Sequence, residues 1–290
     1  MGHIIVKEAE ALLDKEFPVH THGFVRLVDY MGGDAAIVQA ARVSYGEGTK
    51  KISEDRGLIR YLMRNKHTSP LEMVEFKFHV KLPIFIARQW IRHRTANVNE
   101  YSGRYSVMPD EFYVPTDADI RLQATDNKQG RSNEKVPLSI KVTTKSIMRR
   151  EQKITYDNYE SFVDIGIARE LARINLPLSM YTQWYWKIDL HNLLHFLRLR
   201  MDKHAQKEFR DYAEIIAMMV KKTCPLVWEA FEDYVLDAIT LSGPEIDALQ
   251  LMLANTEFVI PAAGDVEHLN ISAVEGKEFG TKIKRLKGLK

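Results

Sequence analysis

Between Val74 and Leu82 the chain alternates without a break, with Val74, Phe76, Phe78, Val80 and Leu82 on one side and polar residues on the other. A period of two buries one face and wets the opposite one, which is the signature of a half-buried, antiparallel strand. Pro83 follows, and the run Ile84 to Arg94 then reads as a helix. Proline suits that junction because the first helical turn has no use for its missing amide hydrogen. A second strand is expected over Tyr181 to Ile188, which is aromatic and β-prone.

Helical spacing recurs elsewhere. Asp34 to Val43 begins on a capping residue, and Ser53 to Lys66 carries Leu58, Ile59, Leu62 and Met63 on one stripe. Ser69-Pro70-Leu71-Glu72 has the form of a capping box, with Ser69 as the cap and Glu72 completing it, but only a short turn fits before the strand. Further helices are expected over Ile147 to Ile165, Ala168 to Ile174, from a cap at Asp189 to about Met201, and over Ala205 to Thr223. Thr116 to Lys135 has no periodicity and reads as a surface loop or insertion. Strands mixed with helices, without regular βαβ alternation, give an α+β fold class: an antiparallel or mixed sheet packed with several helices.

Composition narrows the function. A formal net charge of +2 is too small to mark a nucleic-acid surface, so any anion site must come from local clustering. One cysteine, Cys224, leaves no internal disulfide and no Cys-based metal cluster. The N-terminus has no signal pattern, and every apolar run is broken well before the roughly 18–20 residues of a membrane span. A cytoplasmic protein is the expectation.

The clustering is found between Arg88 and Arg104, where Arg88, Gln89, Arg92, His93, Arg94, Asn97, Asn99, Glu100, Ser102 and Arg104 lie close together. Helical spacing would place Arg88 and Arg92 on one face with Gln89 and His93 beside them. A guanidinium fork matches two phosphate oxygens at once. Any single arginine here is more simply a solvated helix end with salt bridges. Ile84, Phe85, Trp90 and Ile91 make the flanks apolar, so the whole cluster suits a cleft for a nucleotide-type ligand.

Arg92-His93-Arg94, then seven residues, then Ser102 resembles the RHR-x7-S signature of the flavin-dependent thymidylate synthases. KHTSPLE at Lys66–Glu72, EFYVP, ARINLPLSMYT at Ala172–Thr182 and LRLRMDKHAQKE at Leu197–Glu208 extend the likeness, in order, over roughly Gly23 to Asp233. The resemblance implies methylation of dUMP with methylenetetrahydrofolate, FAD and NADPH, in a homotetramer whose active sites draw on several subunits. It implies a catalytic domain over 23–235, with an N-terminal extension at 1–22 and a C-terminal one at 236–290.

Carried over position by position, Gln89, Trp90, Ile91, Arg92, Glu100, Tyr101, Ser102, Gly103, Arg104, Arg173 and Arg200 correspond to the dUMP-binding set. Ser69, Arg92, His93, Arg94, Thr95, Glu100, Asp189, His191 and His195 correspond to FAD contacts. Asp189 and His191 depart from the pattern, because many relatives have Asn and Arg there. The catalytic residues implied are Arg200, which would face the uracil ring, and His67, near the flavin.

Other chemistry is open to some of these residues. Cys224 could be a thiol nucleophile, yet it lacks a partner histidine and reads better as a buried structural cysteine. Ser102 has no evident base, so binding suits it better than attack. His191 and His195 are four apart, as metal ligands often are, but without HExxH or a third ligand no metal is expected. His204 and Gln206, just past Arg200, are positioning residues at most. No GxGxxG or P-loop pattern is present, so FAD would not be held by a Rossmann fingerprint. Two competing readings are a flavoprotein acting on another pyrimidine nucleotide and a nucleic-acid-binding protein using the arginine cluster.

Overall fold

The computed structural model describes residues 4–43, 55–125, 130–253 and 272–286. Two units separate, Met1–Asp237 and Ala238–Lys290. The first is built on a five-stranded sheet of order β1-β2-β3-β5-β4, with every neighbouring pair antiparallel. Its strands are β1 (Glu16–Val19), β2 (Gly23–Met31), β3 (Glu75–Pro83), β4 (Asn97–Glu100) and β5 (Tyr181–Asp189). Its helices are α1 (Lys7–Glu10), α2 (Asp34–Val43), α3 (Asp55–Arg64), α4 (Ile84–Trp90), α5 (Leu138–Asp164), α6 (Arg169–Ala172), α7 (Leu190–Arg200), α8 (Lys207–Thr223) and α9 (Pro225–Phe231). In the second unit, α10 spans Gly243–Leu253 and α11 spans Ala273–Leu286.

The alternating run is the central strand. Val74, Phe76, Phe78, Val80 and Leu82 are all fully buried, and β3 pairs on one side with β2 and on the other with β5. The register sets Phe78 opposite Trp186 and Val80 opposite Trp184. On that face lie α7, α8 and α9, which bring Phe196, Phe209, Tyr212, Ile216 and Phe231 into the same core. Near the N-terminus, Glu16–Val19 add β1 to the sheet, and Ala9, Leu12 and Val19 join this core.

Several boundaries differ from expectation. The turn at Ser69–Met73 is a 3-10 helix capped at Thr68, and no side chain caps it, so Ser69 is not the cap. The first turn of this short helix begins one residue early, which moves Ser69 inside it. Helix α4 stops at Trp90, so Arg88 and Arg92 do not share a helical face; Arg92, His93 and Arg94 stand in the turn beyond. Asn97 to Glu100, expected as irregular, adds to the sheet as an edge strand on β5. Helix α5 begins at Leu138, earlier than its periodicity suggested. Ser53, the expected start of α3, lies outside the described residues.

Candidate active site

Trp90 fixes the signature turn to the scaffold. Its ring is fully buried and packs against Trp186, Phe196 and Phe209 at centroid distances of 5.1, 4.9 and 5.2 Å. Truncating such a ring costs about 3–5 kcal/mol. Expected among the nucleotide contacts, Trp90 keeps its side chain in the core; only its backbone borders the turn, where its carbonyl accepts from the His93 amide at 3.0 Å. The turn that follows is therefore anchored to the core at its start. The side chains of Arg92, Arg94 and Thr95 are exposed and hold no hydrogen bond or ion pair among the described residues, and Ile91 is exposed beside them.

Arg200, at the end of α7, reaches back to this turn. Its Nε donates to Nε2 of His93 at 2.9 Å and its Nη2 to the Gln89 carbonyl at 3.3 Å, while the guanidinium lies 4.6 Å over the Phe209 ring. Burial lowers the Arg200 pKa from its usual range. The His93 pKa is pushed down to about 4, first by burial and then by the positive charge of Arg200 and by His195. His93 is consequently a neutral acceptor at physiological pH, and Arg200 keeps its charge. Arg200 is thus a half-buried cation with a fixed orientation, suited to stabilising negative charge on a neighbouring ligand.

His195 connects this group to a cleft of about 270 Å³ between α3, the 3-10 turn and α7. Its ring lies 6.2 Å from that of His93. His67, His191 and His195 line the cleft together, over an apolar floor that includes Leu62, Leu71, Leu194 and Phe231. Lys66, Thr68 and Arg198 line it as well, and none of these three was singled out from the sequence. Arg198 was findable, since it stands one helical turn below His195. Ser69 is exposed nearby but is not part of the lining. Asp189 caps α7: its carboxylate accepts from the Asn192 amide at 2.9 Å and from Asn192 Nδ2 at 2.7 Å. That carboxylate is already engaged by the helix.

A third group lies past β4. Glu100 ends the strand and accepts from Thr182 Oγ1 at 2.7 Å. Tyr101 donates to the Val107 carbonyl at 2.9 Å, and Ser102 Oγ accepts weakly from the Arg104 amide at 3.3 Å. No base engages the Ser102 hydroxyl among the described residues. Gly103 is buried where a side chain would collide: a Cβ there would meet Met108 Sδ at 2.9 Å and Arg173 Cδ at 3.2 Å. Glycine at 103 thus lets Arg173 lie against the turn, which brings two parts of the expected phosphate site together. Arg104 pairs with Glu170 at 3.0 Å, both exposed. Cys224 is fully buried, with its thiol pKa raised well above the ordinary value by burial and then by Asp34, so it is no nucleophile.

Comparison with known proteins shows the family. The family model described as "Thymidylate synthase complementing protein" matches residues 26–226. A flavin-dependent thymidylate synthase of Treponema denticola is 55% identical over 92% of this chain and 100% of its own length. The chain belongs to the flavin-dependent thymidylate synthase family. A relative of that name from Wolbachia pipientis is 55% identical over 86% of this chain and 87% of its own. The fold agrees with the same family: a UMP/dUMP methylase, PolB, from Streptomyces cacaoi, solved with 5-Br UMP, superposes with a TM-score of 0.68 at 34% identity, covering 76% of this chain and 98% of that one.

Proposed function

We propose that this chain methylates dUMP to dTMP reductively, with methylenetetrahydrofolate as carbon donor and FAD, reduced by NADPH, as hydride source. Its close relatives carry the name of that activity. The structural observation that supports it most is Arg200, oriented by His93 and the Gln89 carbonyl beside an open arginine-rich turn. In this reading Arg200 faces the pyrimidine and stabilises charge developing on it, while Gly103, Arg104 and Arg173 hold the phosphate. Neither Ser102 nor Cys224 forms a covalent bond to substrate.

The cleft lined by His67, His191 and His195 fits a flavin by its donor set. Apolar walls suit a flat aromatic ring, and Lys66, Arg198 and the histidines suit a diphosphate. When bound, the flavin supplies the hydride chemistry, and the chain orients it. His67 would lie along its edge.

The assembly expected is a homotetramer. Leu138, Ile140, Val142 and Ile154 on α5 and Leu171, Ile174 and Leu178 beyond it are large exposed apolar residues that an interface between subunits would cover. Among the described residues no helix is long and apolar enough to cross a membrane, and cytoplasmic placement is part of the proposal. The Streptomyces neighbour is a UMP/dUMP methylase, so UMP is the substrate to separate from dUMP. The deciding experiment is NADPH oxidation by flavin-loaded protein with methylenetetrahydrofolate and either dUMP or UMP, followed by product analysis. If dTMP does not form, the proposal fails; sedimentation of the same sample tests the tetramer.

A further inference from the structure

The amide of Gln89 is held by a chain of side chains that reaches the insertion loop. Glu208, only 2% exposed, receives Arg131 Nη2 at 2.6 and 2.7 Å on its two oxygens and the Tyr113 hydroxyl at 2.8 Å. Burial alone would raise its pKa, but hydrogen bonds from Arg131, its own backbone and Tyr113 hold the carboxyl below the usual range. Glu208 is therefore ionised and can only accept. It accepts from Gln206 Nε2 at 3.0 Å, and Gln206 Oε1 in turn accepts from Gln89 Nε2.

The direction of each bond follows from that carboxylate. A carboxamide has a donor end and an acceptor end, and using one end inward turns the other outward. Glu208 takes the Gln206 donor, so Gln206 offers its carbonyl to Gln89. Gln89 must then turn its NH2 group inward, leaving Oε1 as the outward atom. That oxygen has no partner among the described residues and is not buried. Arg200 holds the carbonyl of the same residue, so both main chain and side chain of Gln89 are fixed.

We infer that Glu208 and Gln206 are positioning residues that lock Gln89 with its side-chain oxygen toward the nucleotide, making the site read a hydrogen-bond donor on the substrate. The inference rests on the proposed dUMP site. Two groups of dUMP could be that donor, N3–H of the pyrimidine and the sugar 3′-hydroxyl. Insertion residue Arg131 then serves this site through Glu208, which explains why a charged side chain of a surface loop is aimed at a buried carboxylate.

The test is equilibrium binding of dUMP, N3-methyl-dUMP and 3′-deoxy-dUMP to flavin-loaded wild type, Gln206→Leu and Glu208→Gln. Gln206→Leu removes one half-exposed amide, and serves if Glu208→Gln proves unstable. Wild type should bind one of the two analogues more weakly than dUMP, roughly three- to tenfold for one hydrogen bond. In both variants dUMP should weaken by a similar factor, and the penalty on that analogue should disappear. A disrupted fold would weaken all three ligands alike and leave their ratio unchanged. Variants that keep the wild-type ratios, or a wild type that binds both analogues as well as dUMP, overturn the inference alone. A wild type that fails to bind dUMP overturns the proposed function with it.

Discussion

Arg200 donates through Nε to Nε2 of His93 at 2.9 Å, which ties the end of α7 to the middle of the signature turn. The bond requires a neutral imidazole, because a protonated ring has no acceptor nitrogen. Two positive charges would otherwise meet in a half-buried site.

Stability should therefore depend on pH through His93. Its pKa falls from an ordinary 6.5 to about 4 in the folded protein. Between those values the unfolded chain binds a proton that the folded chain excludes, so stability is lost as pH drops from about 6.5 toward about 4. Thermal melts across this range should show a falling midpoint, less steep in His93→Gln. A slope identical in the two proteins would remove His93 as its source. Below about 4 the protonated ring can no longer accept from Arg200, and dUMP affinity should fall there more than flavin content.

Arg200→Ala should abolish most turnover while leaving flavin bound. Arg200 contributes no surface to the cleft where the flavin is proposed to sit, but it holds the turn beside which the nucleotide is proposed to bind. Removing one preorganised stabiliser of developing charge costs roughly 10²–10³ in kcat. Arg200→Lys should recover little, since an ammonium cannot span His93 Nε2 and the Gln89 carbonyl as the planar fork does. Absorbance at the flavin band per protomer, set beside the initial rate, separates loss of cofactor from loss of chemistry.

Cys224→Ala should keep turnover near wild type. The thiol is fully buried in the core, and burial keeps it protonated. Only a small packing loss is expected, about 1–2 kcal/mol in chemical denaturation. A folded variant without activity would contradict a mechanism free of covalent catalysis by cysteine.

The sequence disclosed the parts of this protein governed by local pattern. The period of two in β3, the cap at Asp189 and the amphipathic α8 each depend on neighbours in the chain, and each was found where expected. What escaped was decided by distant partners. β4 is a strand because β5 offers an edge to Asn97–Glu100, and the single apolar residue of NVNE, Val98, is too little to signal one. The signature turn leaves the helix at Trp90 because that ring is drawn into a pocket of Trp186, Phe196 and Phe209, two of them more than a hundred residues away. For the site, the resemblance supplied candidate residues but not their contacts. That His93 accepts from Arg200, or that Gln206 orients Gln89, follows from the crossing of α4, α7 and α8, which no spacing in the chain encodes.

Gly103→Ala should weaken nucleotide binding without unfolding the protein. The added carbon meets the flexible ends of Met108 and Arg173 rather than backbone, so the neighbours can move aside. Moving Arg173 displaces a proposed phosphate ligand, which should raise KM for dUMP severalfold with little change in kcat. A fall in kcat at constant KM would place Gly103 in the chemistry instead.

Glu170→Gln should tighten dUMP binding. Arg104 is held by Glu170 at 3.0 Å on the surface, with both side chains about half exposed. A phosphate seeking Arg104 must compete with that carboxylate, and an exposed pair of this kind is weak enough to be displaced. Neutralising Glu170 frees the guanidinium and removes a negative charge beside the incoming phosphate. KM for dUMP should fall by roughly two- to threefold at low ionic strength, and the gain should shrink as salt is added. Arg104→Ala should raise KM and cancel the effect of Glu170→Gln in the double variant. If Glu170→Gln acts equally with and without Arg104, the carboxylate repels the phosphate directly and Arg104 is not its ligand.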